Sequence, residues 1–164
     1  MTVMIVGATG FIGSAVAHGL AQAGAQVVGV SRGRPRTALP MRHVALDIAR
    51  AVEPGAWTPL LAGIDAVVYC AGTLQDSPGE SLRAVHETGP AALFAACARA
   101  GVRRVVHLSA LGVERSATPF SGSKRAGDRA LMDSDLDWVI LRPSVVIGAD
   151  AFGGAALLRG LAAL

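Results

Sequence analysis

The strongest chemical signal in this chain of 164 residues is Gly7-Ala8-Thr9-Gly10-Phe11-Ile12-Gly13, three glycines at three-residue spacing. They stand between a short apolar run and an Ala-rich one. At a strand-to-helix junction, missing side chains let the backbone approach a pyrophosphate, and the first amides of the helix point at it. The implied chemistry is phosphate binding by Gly7, Thr9, Gly10, Phe11, Ile12 and Gly13. The bland alternative is that the glycines serve only a tight turn and close helix–strand packing. A second signal is Lys124, the only lysine among 15 Lys and Arg residues. An ammonium kept where arginine is otherwise used can, once desolvated, serve as a proton donor or acceptor. Its alternative is a solvated helix residue.

Such residues need a frame. Val3 to Val6 reads as a strand ending at Gly7, and Phe11 to Ala23 as a helix closed by Gly24. Ala25 to Val30 reads as a second strand, completing a βαβ unit whose strands are apolar along their length, as in a parallel sheet covered on both faces. Further strands are expected at His43 to Leu46, Ala66 to Cys70, Val102 to Leu108 and Trp138 to Leu141. Helical stretches fall near Trp57 to Leu61, Ser81 to Ala100 and Ser123 to Asp133. Pro90 lacks an N–H, so the long stretch from Ser81 should be two helical pieces or one bent helix. Arg32 to Pro40 reads as a loop.

The G-x-x-G-x-x-G spacing resembles the short-chain dehydrogenase/reductase superfamily in its extended and atypical branches. The resemblance runs on through Asp47, Cys70-Ala71-Gly72, Leu108-Ser109-Ala110 and Leu141-Arg142-Pro143-Ser144, each following a strand in order. It implies a Rossmann-type α/β fold, a doubly wound parallel sheet in three α/β/α layers with strand order 3-2-1-4-5-6 and its ligand across the carboxyl ends of the strands. It further implies a dinucleotide, with Asp47 and the backbone of Ile48 at the adenine, Cys70, Ala71 and Gly72 along the ribose and phosphate side, and Pro143 toward the nicotinamide. NAD-binding relatives carry an acidic residue at the end of the second strand. Here no Asp or Glu precedes Asp47, and the strand runs into Ser31-Arg32-Gly33-Arg34-Pro35-Arg36. A guanidinium forks onto phosphate, so Ser31 and Arg32 are expected to receive a 2′-phosphate. NADP(H) is favoured, with NAD(H) left open, while Arg34 and Arg36 suit a solvated loop.

Members of that superfamily that move a hydride use Ser, Tyr and Lys, the Tyr four residues before the Lys. By resemblance Ser109 and Lys124 are the catalytic candidates, and Lys124 also a ribose ligand, but Phe120 stands where the tyrosine belongs. A phenyl ring cannot transfer a proton. Tyr69, the only tyrosine, reads as a sheet residue, and His107 as packing within or between layers. His86 occupies a place where relatives often carry Asn; it reads either as a polar group near the cofactor or as a partly buried helix residue. Two functions follow from the resemblance. One is an NADP(H)-dependent oxidoreductase or sugar-nucleotide epimerase-like enzyme acting on a small molecule. The other, favoured by Phe120, is a non-catalytic NADP(H)-binding redox sensor or an accessory or assembly subunit similar to that of respiratory complex I.

Composition narrows the field. Hydrophobic residues are 52% and charged ones 16%, against roughly 25% charged in ordinary soluble proteins, so disorder is not expected. A net charge of +3 is too small for a nucleic-acid footprint. The two cysteines, Cys70 and Cys97, sit among small and apolar residues and read as reduced thiols of a cytoplasmic protein, and no metal site is expected. Met1 to Ser31 lacks any Asp, Glu, Lys or Arg, yet Gly7, Gly10, Gly13, Gly19, Gly24 and Gly29 interrupt it and no basic segment precedes it, so no membrane span is expected. Residues 1–148 are expected to form the dinucleotide-binding domain. Residues 149–164, mostly apolar and without a cap or polar tail, are expected to begin a truncated C-terminal segment on the substrate side. A homo-oligomer stays open.

Overall fold

The computed structural model describes residues 1–35 and 37–147. Arg36 and residues 148–164, which include the expected C-terminal segment 149–164, lie outside the described residues. Six strands form one parallel sheet: β1 (Thr2–Val6), β2 (Gln26–Ser31), β3 (Arg42–Ala45), β4 (Ala66–Tyr69), β5 (Arg104–Leu108) and β6 (Asp137–Leu141), in the order β3-β2-β1-β4-β5-β6. This is the doubly wound Rossmann sheet expected from the sequence. Val6 pairs with both Val30 and Tyr69, Tyr69 with His107, and Leu108 with Leu141. The carboxyl ends therefore finish level, and the residues that follow them share one edge of the sheet.

Met4, Ile5 and Val6 of β1 and Val67 and Tyr69 of β4 are buried, so the middle of the sheet is covered on both faces as its continuous apolar runs require. Edge strand β6 differs, with Trp138, Val139 and Leu141 exposed despite their apolar character. Helix α1 (Phe11–Gln22) follows the glycine turn, and α2 (Pro54–Trp57) continues into a 3-10 turn at Thr58–Leu60, where one helix near Trp57 to Leu61 was expected. Of the two expected forms the structure shows one continuous helical stretch: a π-helical turn, Ala84–Thr88, runs into α3 (Gly89–Ala100) and accommodates Pro90, which has no N–H to give the preceding turn. Phe94 and Leu93 of α3 lie in the main core beside Trp57 and Tyr69. Burying each such side chain contributes about 1.5–3 kcal/mol.

Helix α4 spans Pro119–Met132, starting earlier than the Ser123 expected. The reason is local: Thr118 Oγ1 accepts from the Ser121 amide at 3.2 Å, and Pro119 presets the first helical turn. Gly127 lets α4 press on the π-helical turn, since a Cβ there would stand 2.0 Å from the His86 carbonyl oxygen. That contact brings Lys124 and Asp128 against the ends of β4 and β5.

Candidate functional site

One cleft of about 600 Å³ runs along the carboxyl ends of the strands. It is lined by Gly7, Thr9, Gly10, Phe11 and Ile12 after β1, by Ser31 and Arg32 at β2, and by Asp47 and Ile48 after β3. Cys70, Ala71 and Gly72 follow from β4, Ser109 from β5, Lys124 and Phe120 from α4, and Pro143 from beyond β6. The fold thus gathers every residue singled out as a site candidate into one concavity, except Gly13. Gly13 is buried behind the turn, and its part is steric.

The turn closes by its own backbone bonds: the Gly7 and Ala8 amides donate to Val30 O, and the Gly10 amide to Gly7 O at 3.0 Å. Gly7 has φ +82°, where a side chain is strained, and a Cβ on it would meet the Ala71 backbone at 2.7 Å. A Cβ on Gly13 would stand 2.2 Å from Gly7 O. Helix α1 has no side-chain cap and no acidic residue in its first turn, which leaves the positive end of its dipole facing the cleft. A pyrophosphate fits this geometry.

Beside the turn, Ser31 Oγ donates to Gly33 O at 2.8 Å and lies 2.9 Å from His43 Nε2, which fixes the start of the Arg loop. Arg32 does not extend freely into the cleft: its guanidinium contacts the Glu80 carboxylate, from the loop after β4. Glu80 also lines the cleft, and sequence reasoning missed it. Asp47 Oδ1 accepts from the Ala49 amide at 3.1 Å, so that carboxylate braces its own loop, and Ile48 is buried beside it.

At the far end Lys124 is only 6% exposed and donates to Leu108 O at 2.9 Å. Burial takes its ammonium down to about 8, against the opposing pull of Asp128 and Cys70. Ser109 Oγ donates to Asp128 Oδ2 at 2.9 Å, so its lone pairs, not its proton, are free for the cleft. Asp128, 1% exposed, also accepts from Arg142 Nε at 3.2 Å and Nη2 at 3.0 Å, and its Oδ1 lies 3.4 Å from His107 Nε2. Sequence reasoning missed Asp128 as well. Hydrogen bonds to it hold its carboxyl below the ordinary range, although burial pulls the other way. His107 packs between the Tyr69 and Phe94 rings, 5.5 and 5.7 Å away, and Tyr69 donates to Val85 O; both residues are interior packing, as expected.

Phe120 packs edge-on against His86 at 5.4 Å. His86 is wholly buried, more than the partial burial expected, and its ring is fixed from both ends. Ser123 Oγ donates to Phe120 O and so accepts from His86 Nδ1–H at 2.9 Å, while His86 Nε2 accepts from the Thr73 amide at 3.0 Å. The neutral ring meets every partner, and burial with Lys124 nearby lowers its pKa from 6.5 to about 3. Below pH 6.5 the unfolded chain takes up a proton that the folded chain refuses until about 3, so stability is lost as pH falls through that window. His107 is shifted in the same direction, chiefly by burial. The melting temperature is therefore expected to drop between pH 6.5 and about 4, and less steeply in His86→Asn; identical pH profiles would contradict this role.

Among the described residues no group of three His, Cys, Asp or Glu is placed to hold a metal ion, and no helix is long and apolar enough to cross a membrane. A family model described as NAD(P)H-binding matches residues 7–159. The chain is similar to ceramide reductase of Caulobacter vibrioides, 30% identical over an alignment of 155 residues that covers 89% of this chain and 46% of that protein. It is also similar to dTDP-6-deoxy-L-talose 4-dehydrogenase (NAD(P)(+)) of Kitasatospora kifunensis, 33% identical over 131 residues, 78% of this chain and 41% of that protein. Among solved structures, the Bordetella bronchiseptica enzyme WbmH in complex with NAD+ superposes with a TM-score of 0.82 at 22% identity, covering 99% of this chain and 62% of that one. The chain spans less than half the length of these two curated relatives.

Proposed function

We propose that this chain, which belongs to the NAD(P)H-binding family and with it to the short-chain dehydrogenase/reductase superfamily, is the dinucleotide-binding part of an NADP(H)-dependent oxidoreductase. One observation carries the reading: a single cleft joins the glycine turn and Arg32 at one end to Ser109 and Lys124 at the other. The glycine turn would cradle the pyrophosphate, Arg32 the 2′-phosphate, and Asp47 and Ile48 the adenine side. Cys70, Ala71 and Gly72 would line the ribose and phosphate path, with Pro143 beyond. When bound, the cofactor supplies or takes up the hydride of a carbonyl–alcohol interconversion.

What the chain must add is orientation and one proton. Lys124 would donate to ribose hydroxyls and, with its ammonium brought down to about 8, could also give up or recover a proton near neutral pH. Ser109, its own proton committed to Asp128, accepts from a hydroxyl of substrate or ribose. Names of relatives such as ceramide reductase support a carbonyl compound or its alcohol as substrate. The free thiols Cys70 and Cys97 suit a cytoplasmic setting.

Phe120 favours a second reading, a non-catalytic NADP(H)-binding sensor or accessory subunit, because it lines the cleft where the superfamily's proton-transferring tyrosine belongs. Phe120→Tyr separates the two. On a panel of aldehydes and ketones with NADPH, an enzyme lacking only this group should gain on the order of a hundredfold in rate. An unchanged rate with cofactor still bound would favour the sensor.

A further inference from the structure

The first two strands supply no carboxylate for an adenosine ribose, yet the fold delivers one from elsewhere. Glu80 lies in the loop after β4 and faces the same end of the cleft as Ser31, Arg32 and Asp47. Its placement is built. One carboxylate oxygen contacts Arg32, the other accepts from Thr73 Oγ1 at 2.9 Å, and the Thr73 amide is in turn held by His86 Nε2. Ser77 and Glu80 exchange two backbone hydrogen bonds, 3.0 and 2.9 Å long, closing the loop through Gly79 at φ +85°. Arg32 and Thr73 hold the carboxyl below the usual carboxylate range, so it is charged at neutral pH.

We infer that Glu80 discriminates between cofactors, its carboxylate accepting from the adenosine 2′-hydroxyl of NAD(H) and competing with the 2′-phosphate of NADP(H) for Arg32. The inference rests on the dinucleotide reading above and goes beyond it by naming the group that opposes Arg32. A carboxylate offers only lone pairs, so it attracts a hydroxyl and repels a phosphate. Arg32 attracts either anion, but a carboxylate held against its guanidinium repels a phosphate brought beside it. With NAD(H) the pair stays closed and Glu80 accepts a hydrogen bond from the hydroxyl. With NADP(H), Arg32 turns to the phosphate and Glu80 is displaced. The two residues together compress a preference that Arg32 alone would make strong.

The test is calorimetric titration of NADH and NADPH into the wild-type chain, Glu80→Gln and Arg32→Ala. Glu80→Gln is expected to weaken NADH about tenfold and tighten NADPH several-fold, the size of one charged hydrogen bond lost and one competitor removed. Arg32→Ala is expected to move the ratio the other way. If Glu80→Gln changes both cofactors equally, or neither, while the wild type binds them, the inference fails and the dinucleotide reading stands. If the folded wild type binds neither, both fail together. Glu80 is partly exposed, so the substitution leaves the core intact.

Discussion

Gly13→Ala is expected to cost the chain on the order of a hundredfold in dinucleotide affinity, about 2.7 kcal/mol, while Gly19→Ala in the same helix leaves binding unchanged. The contrast is steric. A Cβ on Gly13 would stand 2.2 Å from Gly7 O and 2.9 Å from Ala8 Cα, and both neighbours are backbone that no rotamer change can remove. Relief requires the turn to open, and opening displaces the amides that face the pyrophosphate. Gly19 meets nothing within 4 Å, so its methyl only improves helix propensity, by about 1 kcal/mol. At Gly13 that gain is outweighed by overpacking, typically 1–3 kcal/mol. Paired titrations and thermal melts read both effects. If Gly13→Ala binds NADPH like the wild type, the glycine turn is not the phosphate cradle.

The second large effect is expected at Asp128. Asp128→Ala should destabilise the fold by about 3 kcal/mol, because it removes a buried carboxylate from between side chains at the ends of two strands. Ser109 after β5, Arg142 after β6 and His107 within β5 all converge on this carboxylate of α4. For a chain of this size that corresponds to a melting temperature lower by about 6–12 °C. Asp128→Asn keeps an oxygen for Ser109 but removes the charge facing Arg142, so it should fall between. Cofactor affinity should weaken too, since Ser109 and Pro143 then lose a fixed position. An alanine variant that melts within about 2 °C of the wild type would show that the cluster is not a structural anchor.

Why the sequence discloses the glycine turn but hides Asp128 is a matter of range. Gly7 to Gly13 and the strands beside it are local patterns, and the period and apolar runs that define β1, α1 and β2 extend over few residues. Their order then implies the sheet, which the pairing of Val6 with Val30 and Tyr69 bears out. Asp128 sits among Arg125, Arg129 and Asp133 and looks like one more solvated helix charge. Its burial comes from β5 and the residues after β6, distant in the chain. A usable sign existed: Asp128 is four residues beyond Lys124, on one helix face, and follows Gly127, whose place mid-helix makes sense only if another backbone comes close. Glu80 offered less, being in a loop whose path depends on His86 and Thr73. The expected strand order puts Trp138 and Leu141 at an edge, but the apolar content of that strand gave no sign that these side chains are exposed.

The central claim is that the cleft along the strand ends binds a nicotinamide dinucleotide. Calorimetric titration of NADPH, NADP+, NADH and NAD+ into the purified chain tests it most directly, with circular dichroism melts confirming that the protein is folded. Saturable binding near one dinucleotide per chain, tightest for the 2′-phosphorylated forms and weakened selectively for them by Arg32→Ala, is the predicted result. A cooperatively melting chain that takes up none of the four would contradict the account and leave the glycine turn with a structural role alone.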